Sequence, residues 1–591
     1  MVAGAGVGLA AVPAAAAMAA AKPAVSRQHV SPFGLRAHRA VHHVQRRADA
    51  PAVTGTTRWV SNTTALGTAP GTSCADPGYA TISAAITASA LGDTIEVCAG
   101  TYDEQLAITQ GITLQAKGPV TVVGPATFPS NATSCDTDGG SQPNQDVVDI
   151  CGTGTVKISG FTIQGGWPAG GYCYDSFYGV AVLGGANLVL SNSTVENIGD
   201  GSSSGSGCQG GVGIEVGLAT SPTAADAGTA TLNNDVVNTY QKNGITVDGT
   251  GSSATINDAT VTGAGASTAT AQNGIQISDN ATGKINTGSV SGNECDDTGG
   301  GCGPNGLTQT QACGILLFDA GKVTVTGANS SANDIGVDNI EDVAWAFYTP
   351  PSPFIATNEA LTSMRLNNRY ENAFLDEGKT TLNDSTLSNG EVGIETDQAS
   401  YQTTPAVSVA NGDTITGASQ DAILIASDHT SGDKAPKLTV ATSSFDTTNA
   451  YGVENDSTSV ATATDNYWGD PSGPSLWSFG SGSQVSADVN FFPWALDTGY
   501  TNKEQCTTGA SVSSSTNDQV LCAPSGNSNA FLSNGASGNV LEIGNSGNDQ
   551  LVGTTAAGGE TWIISGTGFI QKRGDANDTI TNAANYNKAL R

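Results

Sequence analysis

NGITVDGTGSSATINDATVTG, residues 243–263, contains the unit from which most of this chain is built. A Gly-Ile pair opens a short alternating strand, a Gly/Ser turn follows, and a second alternating segment breaks at Asp258 before a third begins. The opening recurs as YGVAV from Tyr178, VGIEV from Val212, NGIQI from Asn273, CGILL from Cys313, IGVDN from Ile335, VGIET from Val392, DAILI from Asp421 and YGVEN from Tyr451. The second half recurs as NLVLSNSTVEN from Asn187, ATLNNDVVNT from Ala230, GKINTGSVSG from Gly283 and TTLNDSTLSN from Thr380. Successive glycines 179, 213, 244 and 274 are 34, 31 and 30 residues apart. Self-similarity at such a period marks a solenoid, in which each repeat buries its apolar face only against its neighbours. One coil therefore reads as Gly-Ile strand, variable turn, second strand, bend, third strand, variable turn. Asn192, Asn234, Asp258, Asn368 and Asp384 are expected in the bend, because Asn and Asp tolerate left-handed backbone. Stacked on successive coils, they would form a hydrogen-bonded ladder.

The composition agrees with this reading. Gly 76 of 591 residues, 13% charged residues and 6% aromatics suit a turn-rich all-β chain better than a helical globule. The net charge of −31 is unevenly spread. Six of the 22 Lys and Arg, but only one of the 53 Asp and Glu (Asp49), lie before residue 50, leaving a body of 16 basic and 52 acidic residues. Such a body repels nucleic acid, which is excluded as a partner. It also repels polyanionic sugars unless a divalent cation bridges them.

Residues 1–21 (VAGAGVGLAAVPAAAAMAAA after Met1) read as the apolar, small-residue part of a secretory signal. Residues 22–73 lack a hydrophobic period and read as a propeptide or linker, 74–497 as the solenoid, and 498–591 as a Ser/Asn/Gly-rich appendage. No later stretch has the ~18 consecutive apolar residues of a membrane span. A monomer that is secreted or at the cell surface is expected. The 11 cysteines fall largely in local pairs, Cys74/Cys98, Cys135/Cys151, Cys173/Cys208 and Cys506/Cys522, with Cys295, Cys302 and Cys313 as a trio that must leave one over. Local pairs in a secreted chain read as disulfides that pin loops. With no CxxC, and His429 the sole histidine of the body, zinc is poorly supported. Ile82, Ala85, Ile86 and Ala90 share one helical face, and a short helix there would cap the open end of the solenoid.

TISAAITASALGDTIEVCAGTYDEQLAI from Thr81 and VKISGFTIQGG from Val156 resemble the start of secreted bacterial right-handed parallel β-helix proteins of the pectin-lyase-like superfamily. NYWGDPSGPS from Asn466 and NFFPWAL from Asn490 resemble the end, where Trp468 would cap the core. The resemblance covers roughly residues 74–497 and speaks to fold, since this fold hosts many chemistries. It implies a sugar-chain site along the outer face of the Gly-Ile strands, beside the long loops that follow the third strands. GNSGNDQLVG from Gly544 resembles one calcium-binding nonapeptide repeat and GDANDTI from Gly574 a poorer one, which makes Asp549 and Asp578 the candidate calcium ligands.

Alternation along the strands places Glu215, Thr246, Asp248, Gln276, Ser278, Leu316, Asp338, Leu375, Glu395, Asp397, Leu424, Glu454 and Asp456 on that outer face. The column is acidic and apolar, without Lys or Arg. Paired carboxylates there could serve as acid and base, or bind calcium; otherwise they form a solvated strand face. Glu395, Asp397 and Asp338 are the candidate catalytic carboxylates, and Lys242, in TYQKNGI, is the candidate base for a lyase. Glu215 and Asp248 are candidate binding residues. Trp345, Phe347 and Tyr348, within EDVAWAFYTPPSPFI, are a candidate stacking platform for sugar rings. The GHG and RIK motifs of polygalacturonase-like enzymes are absent, and no pectin-methylesterase or alginate-epimerase pattern is found. The leading expectation is binding or processing of extracellular polysaccharide. The alternatives are a polysaccharide lyase or glycoside hydrolase using these carboxylates with or without calcium, and a non-enzymatic surface or adhesion protein with the solenoid as a stiff scaffold. A role like that of the β-helix proteins assisting nitrous-oxide reductase maturation finds no metal-specific support.

Overall fold

A computed structural model describes residues 55–125, 145–165, 177–199, 210–221, 224–266, 271–295, 312–340, 359–362, 364–368, 372–397, 406–426, 435–475, 480–486 and 488–504, and beyond these the strands between Thr507 and Thr581. The chain folds as a right-handed parallel β-helix. Thirteen strands, from Leu106–Gln110 to Gln484–Val485 and including every Gly-Ile opening quoted above, stack in parallel and in chain order as one sheet. Second strands pair with second strands and third with third, as in Thr229–Asn233 with Ser253–Asn257 and Val236–Tyr240 with Thr260–Thr262. Near the start, the long strands Thr94–Asp103, Thr113–Val123 and Thr155–Gln164 run through both positions.

The interior is a stack of identical rungs. Ile214, Ile245, Ile275, Ile315 and Val337 sit in register and are fully enclosed. The glycine before each has a steric cause. A Cβ on Gly244 would lie 2.5 Å from Val261 Cγ1 and 2.6 Å from the carbonyl oxygen of Gly274 on the next coil, and Gly213 and Gly274 meet the same obstruction. Gly244→Val is therefore expected to destabilise the fold by about 3 kcal/mol through overpacking, read as a lowered denaturation midpoint.

The bends are two residues long, and their first residue is left-handed at Asn192, Asn234, Asp258, Thr287, Asp384 and Thr442. Asn368 departs from expectation: it ends the third strand Arg365–Asn368, in register with Asn389. The ladder also lies one residue earlier than expected. Asn257 Nδ2 donates to Asn233 Oδ1 and Asn286 Nδ2 to Asn257 Oδ1, each at 2.9 Å. The left-handed residue turns the chain, and the residue before it, still in extended strand, keeps the repeat spacing that lets side chains stack. The second residue of the bend faces inward. Asp235 accepts backbone N–H groups of Ser193 and Asn233, and Asp413 those of Ser385 and Asn411. Burial outweighs these bonds and raises their carboxyls to about 6 and about 7.

The solenoid starts earlier than the sequence suggested. Thr57–Val60 pairs with Thr94–Val97, and Arg58 binds Asp93 at 2.7 Å, so residues 55–73 belong to the fold. Four residues are too few to display a period. The helix Ile82–Thr87 buries Ile82, Ala85 and Ile86, while Ala90 lies beyond its end and is exposed. Glu104 accepts the first backbone N–H groups of this helix, Ile82 and Ser83, at 2.8 Å. At the other end Trp468, fully buried, packs on Phe445 and Phe491. Cys74 and Cys98 form a disulfide. Cys151 and Cys295 are also disulfide-bonded, whereas Cys313 keeps its thiol. Cys135, Cys173, Cys208, Cys302 and Cys506, and residues 1–54, lie outside the described residues.

The appendage is a second, smaller parallel arrangement. Gln519–Cys522, Val540–Ile543, Glu560–Ile563 and Thr579–Thr581 form one ladder, and Ala530–Leu532, Gln550–Val552 and Phe569–Gln571 another, so strands alternate between two sheets about every ten residues. Among the described residues no helix is long and apolar enough to cross a membrane.

Candidate functional site

The outer face of the thirteen-stranded sheet carries the chemistry. The spacing between its strands and the rest of each coil varies, from two residues between Val236–Tyr240 and Asn243–Asp248 to twenty-one between Thr113–Val123 and Gln145–Thr153, whereas the bends between second and third strands stay at two residues. A regular scaffold that varies at one face is the usual setting for a binding site.

The face is not the solvated surface that alternation alone suggests. At its N-terminal part the outward positions Asp149, Glu215 and Thr246 are buried. An outer apolar cluster of Tyr178, Ala181, Leu183 and Val212, joined by Leu218 of the hairpin Leu218–Ser221/Ala224–Asp226, excludes water there. Glu215 is 3% exposed, and burial, then the charges of Asp248 and Asp146, push its carboxyl well above the usual range. Asp248 ties the hairpin to the sheet. Its Oδ2 accepts the Ala219 N–H of the hairpin at 2.8 Å, and its Oδ1 accepts the Ser278 hydroxyl at 2.8 Å. Burial first, and then the charge of Asp279, raises it to about 6. Glu215 thus lies beneath the surface, while Asp248 is half-buried at its edge.

From Gln276 onward the face opens in part, although Asp338 and Leu375 within it stay buried at 3% and 7% exposure. Gln276, Leu316, Glu395, Leu424 and Glu454 are half-buried in one central row, and Glu377 and Asp397 in the row beside it. Cys313, Ile335, Leu375 and Leu316 form a second outer apolar cluster in this track. Asp338 pairs with Leu375, and Leu375 with Glu395, so these two carboxylates share a row two coils, or about 9.6 Å, apart. Glu377 sits one coil and two residues from each, about 8 Å between backbone positions, and directly beside Asp397 at about 4.8 Å. Burial, then the charges of Asp338, Asp397, Glu395 and Asp376, push the Glu377 carboxyl well above its ordinary value. Asn372 Nδ2 donates to Glu395 Oε2 at 2.7 Å, which orients that carboxylate.

Of the sequence candidates, Asp338, Glu395 and Asp397 therefore come together, around a residue that the strand-by-strand alternation had passed over. Continuing it two residues past Leu375 would have found Glu377. Lys242 lies toward the N-terminal end. Its ammonium donates to the Ala271 carbonyl at 2.8 Å, and burial lowers its pKa while the Cys313 thiol nearby opposes this. Cys313 in turn donates to Asp338 Oδ2 at 3.8 Å. Further along, Glu454 is raised to about 7 by burial, its hydrogen bond with Asp421, and the charges of Asp421 and Asp456.

A polar cluster inside the solenoid was also missed. The second inward row, Val216, Val247, Ile277 and Leu317, continues as Asn339, Asp376 and Thr396. Asp376, fully buried, accepts from Asn339 Nδ2, Thr380 Oγ1, Ser408 Oγ and the Gly378 N–H. Assigning every inward position to an apolar residue leaves no means of finding it. Trp345, Phe347 and Tyr348, and the calcium candidates Asp549 and Asp578, lie outside the described residues. Among the described residues, no group of three or more His, Cys, Asp or Glu side chains is placed to hold a metal ion.

No protein-family model and no curated protein matches the sequence. Among solved structures, a tailspike protein of E. coli bacteriophage HK620 in complex with hexasaccharide is similar at 12% identity over 84% of this chain and 75% of that one, with a TM-score of 0.35. Pectate lyase Pel9A is similar at 13% identity over 71% and 84%, TM-score 0.30. The A-module of Azotobacter vinelandii mannuronan C-5 epimerase AlgE4 is similar at 13% identity over 68% and 94%, TM-score 0.30. Likenesses at these scores assign neither a family nor an activity, and the fold rests on the strand pairing of this chain.

Proposed function

We propose that this chain is an extracellular polysaccharide-binding β-helix whose half-exposed acidic track hydrolyses glycosidic bonds in an uncharged glycan. The observation that carries this reading is Glu377, a carboxyl set among Asp338, Glu395 and Asp397 whose pKa burial and these neighbours raise well above its ordinary value. Carboxyl groups whose environments separate their protonation states are the usual acid and base of glycoside hydrolysis. Glu377 gives its proton to the glycosidic oxygen as the C–O bond breaks, and a water attacking the anomeric carbon passes its proton to Glu395. The half-buried Leu316, backed by the buried Ile335 and Leu375, offers an apolar contact to the C–H face of a sugar ring. The acidic body disfavours polyuronates, and among the described residues no Arg or Lys stands beside Glu377 in the row register to act as a lyase base.

The test is release of reducing ends from a panel of neutral polysaccharides and polyuronates, with and without calcium. Turnover of a neutral member supports hydrolysis. Unsaturated products from a polyuronate would replace it with a lyase. Binding without turnover would leave a carbohydrate-binding module, and neither binding nor turnover would leave a stiff surface scaffold.

A further inference from the structure

We propose that Asp376, inside the solenoid, is the positioning residue of the acidic track and fixes from beneath the sheet the strand ends that present Glu377 and Asp397 to the glycan. The inference rests on the reading of the track as hydrolytic. The inward row of this sheet is apolar at Val247, Ile277 and Leu317, turns polar at Asn339, Asp376 and Thr396, and is apolar again at Ile425. Those three polar residues are the chain neighbours of the four track carboxylates. Asn339 follows Asp338, Asp376 precedes Glu377, and Thr396 stands between Glu395 and Asp397. Side chains alternate across a strand, so the polar stretch of the interior lies directly behind the acidic stretch of the outer face.

The bonds of Asp376 reach both strand ends. Its Oδ1 accepts from Asn339 Nδ2 at 3.1 Å, from Thr380 Oγ1 at 2.9 Å, and at 3.2 Å from the N–H of Gly378, where the chain turns immediately after Glu377. Its Oδ2 accepts from Ser408 Oγ, which in turn accepts from Thr396 Oγ1 at 2.8 Å. Its backbone carbonyl accepts the Asp397 N–H at 3.1 Å. One residue thus ties together the two backbone positions, about 4.8 Å apart, that carry Glu377 and Asp397. The core does not need it. Neighbouring coils fill the same position with Val, Ile or Leu, and this carboxyl, fully buried and raised to about 6, weakens the fold once it ionises. Small displacements of reacting groups cost large factors in rate, so a network that lowers stability can still serve the chemistry in front of it. The charge of Asp376 also adds to those of Asp338, Asp397 and Glu395 in raising Glu377.

The experiment measures kcat and KM of the full chain across pH on the neutral polysaccharide that the wild type turns over, with thermal melting alongside. Asp376→Asn keeps the size of the side chain but removes its charge and gives Ser408 a donor in place of an acceptor. It is expected to lower kcat by roughly ten-fold and leave KM nearly unchanged. The alkaline limb of the pH profile should move toward acid by about one pH unit, because the charge behind Glu377 is gone. The melting temperature at pH 8 should rise, so the loss of turnover cannot come from a weakened fold. Ser408→Ala, which removes a single hydroxyl, is expected to lower kcat less, and keeps the test usable if Asp376→Asn fails to fold. Two variants that keep the wild-type kcat and an unmoved limb would overturn the positioning role. Losses confined to KM would also overturn it, because the network would then shape binding and not chemistry. A wild type that turns over no neutral glycan would instead overturn the hydrolytic reading, and the positioning role with it.

Discussion

Glu377→Gln is expected to lower turnover of the neutral polysaccharide by about 10³-fold, within the range that general acid catalysis contributes. The glutamine keeps the shape of the side chain and its neighbours but has no proton to deliver to the leaving oxygen. Burial and the neighbouring carboxyls favour the neutral form of this side chain, which the amide copies, so the melting temperature should hold. Loss of activity with unchanged stability separates chemistry from folding. The pH profile gives a second readout: wild-type activity should fall on the alkaline side as Glu377 ionises, and the glutamine variant should lack that limb. Glu395→Gln is expected to cost as much, because the carboxylate that Asn372 orients is the base. Product stereochemistry distinguishes the partners. Inversion would assign Glu395, whose backbone position lies about 8 Å from that of Glu377, as base, whereas retention would assign Asp397, about one strand spacing away, as nucleophile. A Glu377→Gln variant with more than half of wild-type turnover would remove Glu377 from the mechanism.

The ease of reading this chain differs between its backbone and its site for a physical reason. Every Gly-Ile opening quoted from the sequence is a strand of one sheet, and the glycines from Gly179 to Gly393 answer the same clash with a carbonyl on the next coil, while Gly452 faces Ser483 and Trp468 and DAILI carries Ala422 instead. A constraint repeated from coil to coil prints a period. The site is assembled differently. Asp338, Glu377 and Glu395 come from three coils of unequal length, and what distinguishes them from Glu454 or Asp456 is what surrounds them. Alternation correctly placed Asp338, Glu395 and Asp397 on the outer side, yet it carries no information on cover. Glu215 has the same outward phase as Glu395, but the hairpin and the Tyr178–Val212 cluster seal it. Asp376 has the inward phase of Val247 and is polar because Thr380, four residues on, and Asn339 and Ser408, distant in sequence, converge on it.

Thermal stability is expected to be higher at pH 5 than at pH 8, the reverse of what paired surface carboxylates produce. Asp376 is raised to about 6 by burial, although four donors partly offset it; Asp235 is raised to about 6 and Asp413 to about 7 for the same reason. Between the ordinary aspartate value of 3.8 and these folded values, the native state binds more protons than the unfolded chain. Stability therefore falls as pH rises through that window, and the penalty is complete above about 7. A tenfold change in proton affinity corresponds to about 1.4 kcal/mol, so these three carboxyls together carry several kcal/mol. For a chain this long that is a rise in melting temperature of roughly 5–10 °C from pH 8 to pH 5. Asp93 runs the other way: backbone bonds from Ala90 and Thr56 and the Arg58 guanidinium outweigh its burial and lower it. Its contribution, like those of Asp470 and Asp497, is lost only as pH falls below about 3.8, which sets the acid limit of the plateau. Calorimetry at fixed ionic strength, with the net charge of −31 screened, measures the difference. Asp376→Asn should raise the melting temperature at pH 8 and leave it nearly unchanged at pH 5, since the amide copies the protonated acid. A wild-type melting temperature lower at pH 5 than at pH 8 would mean that these interior carboxyls stay ionised, held by their donors strongly enough to defeat burial.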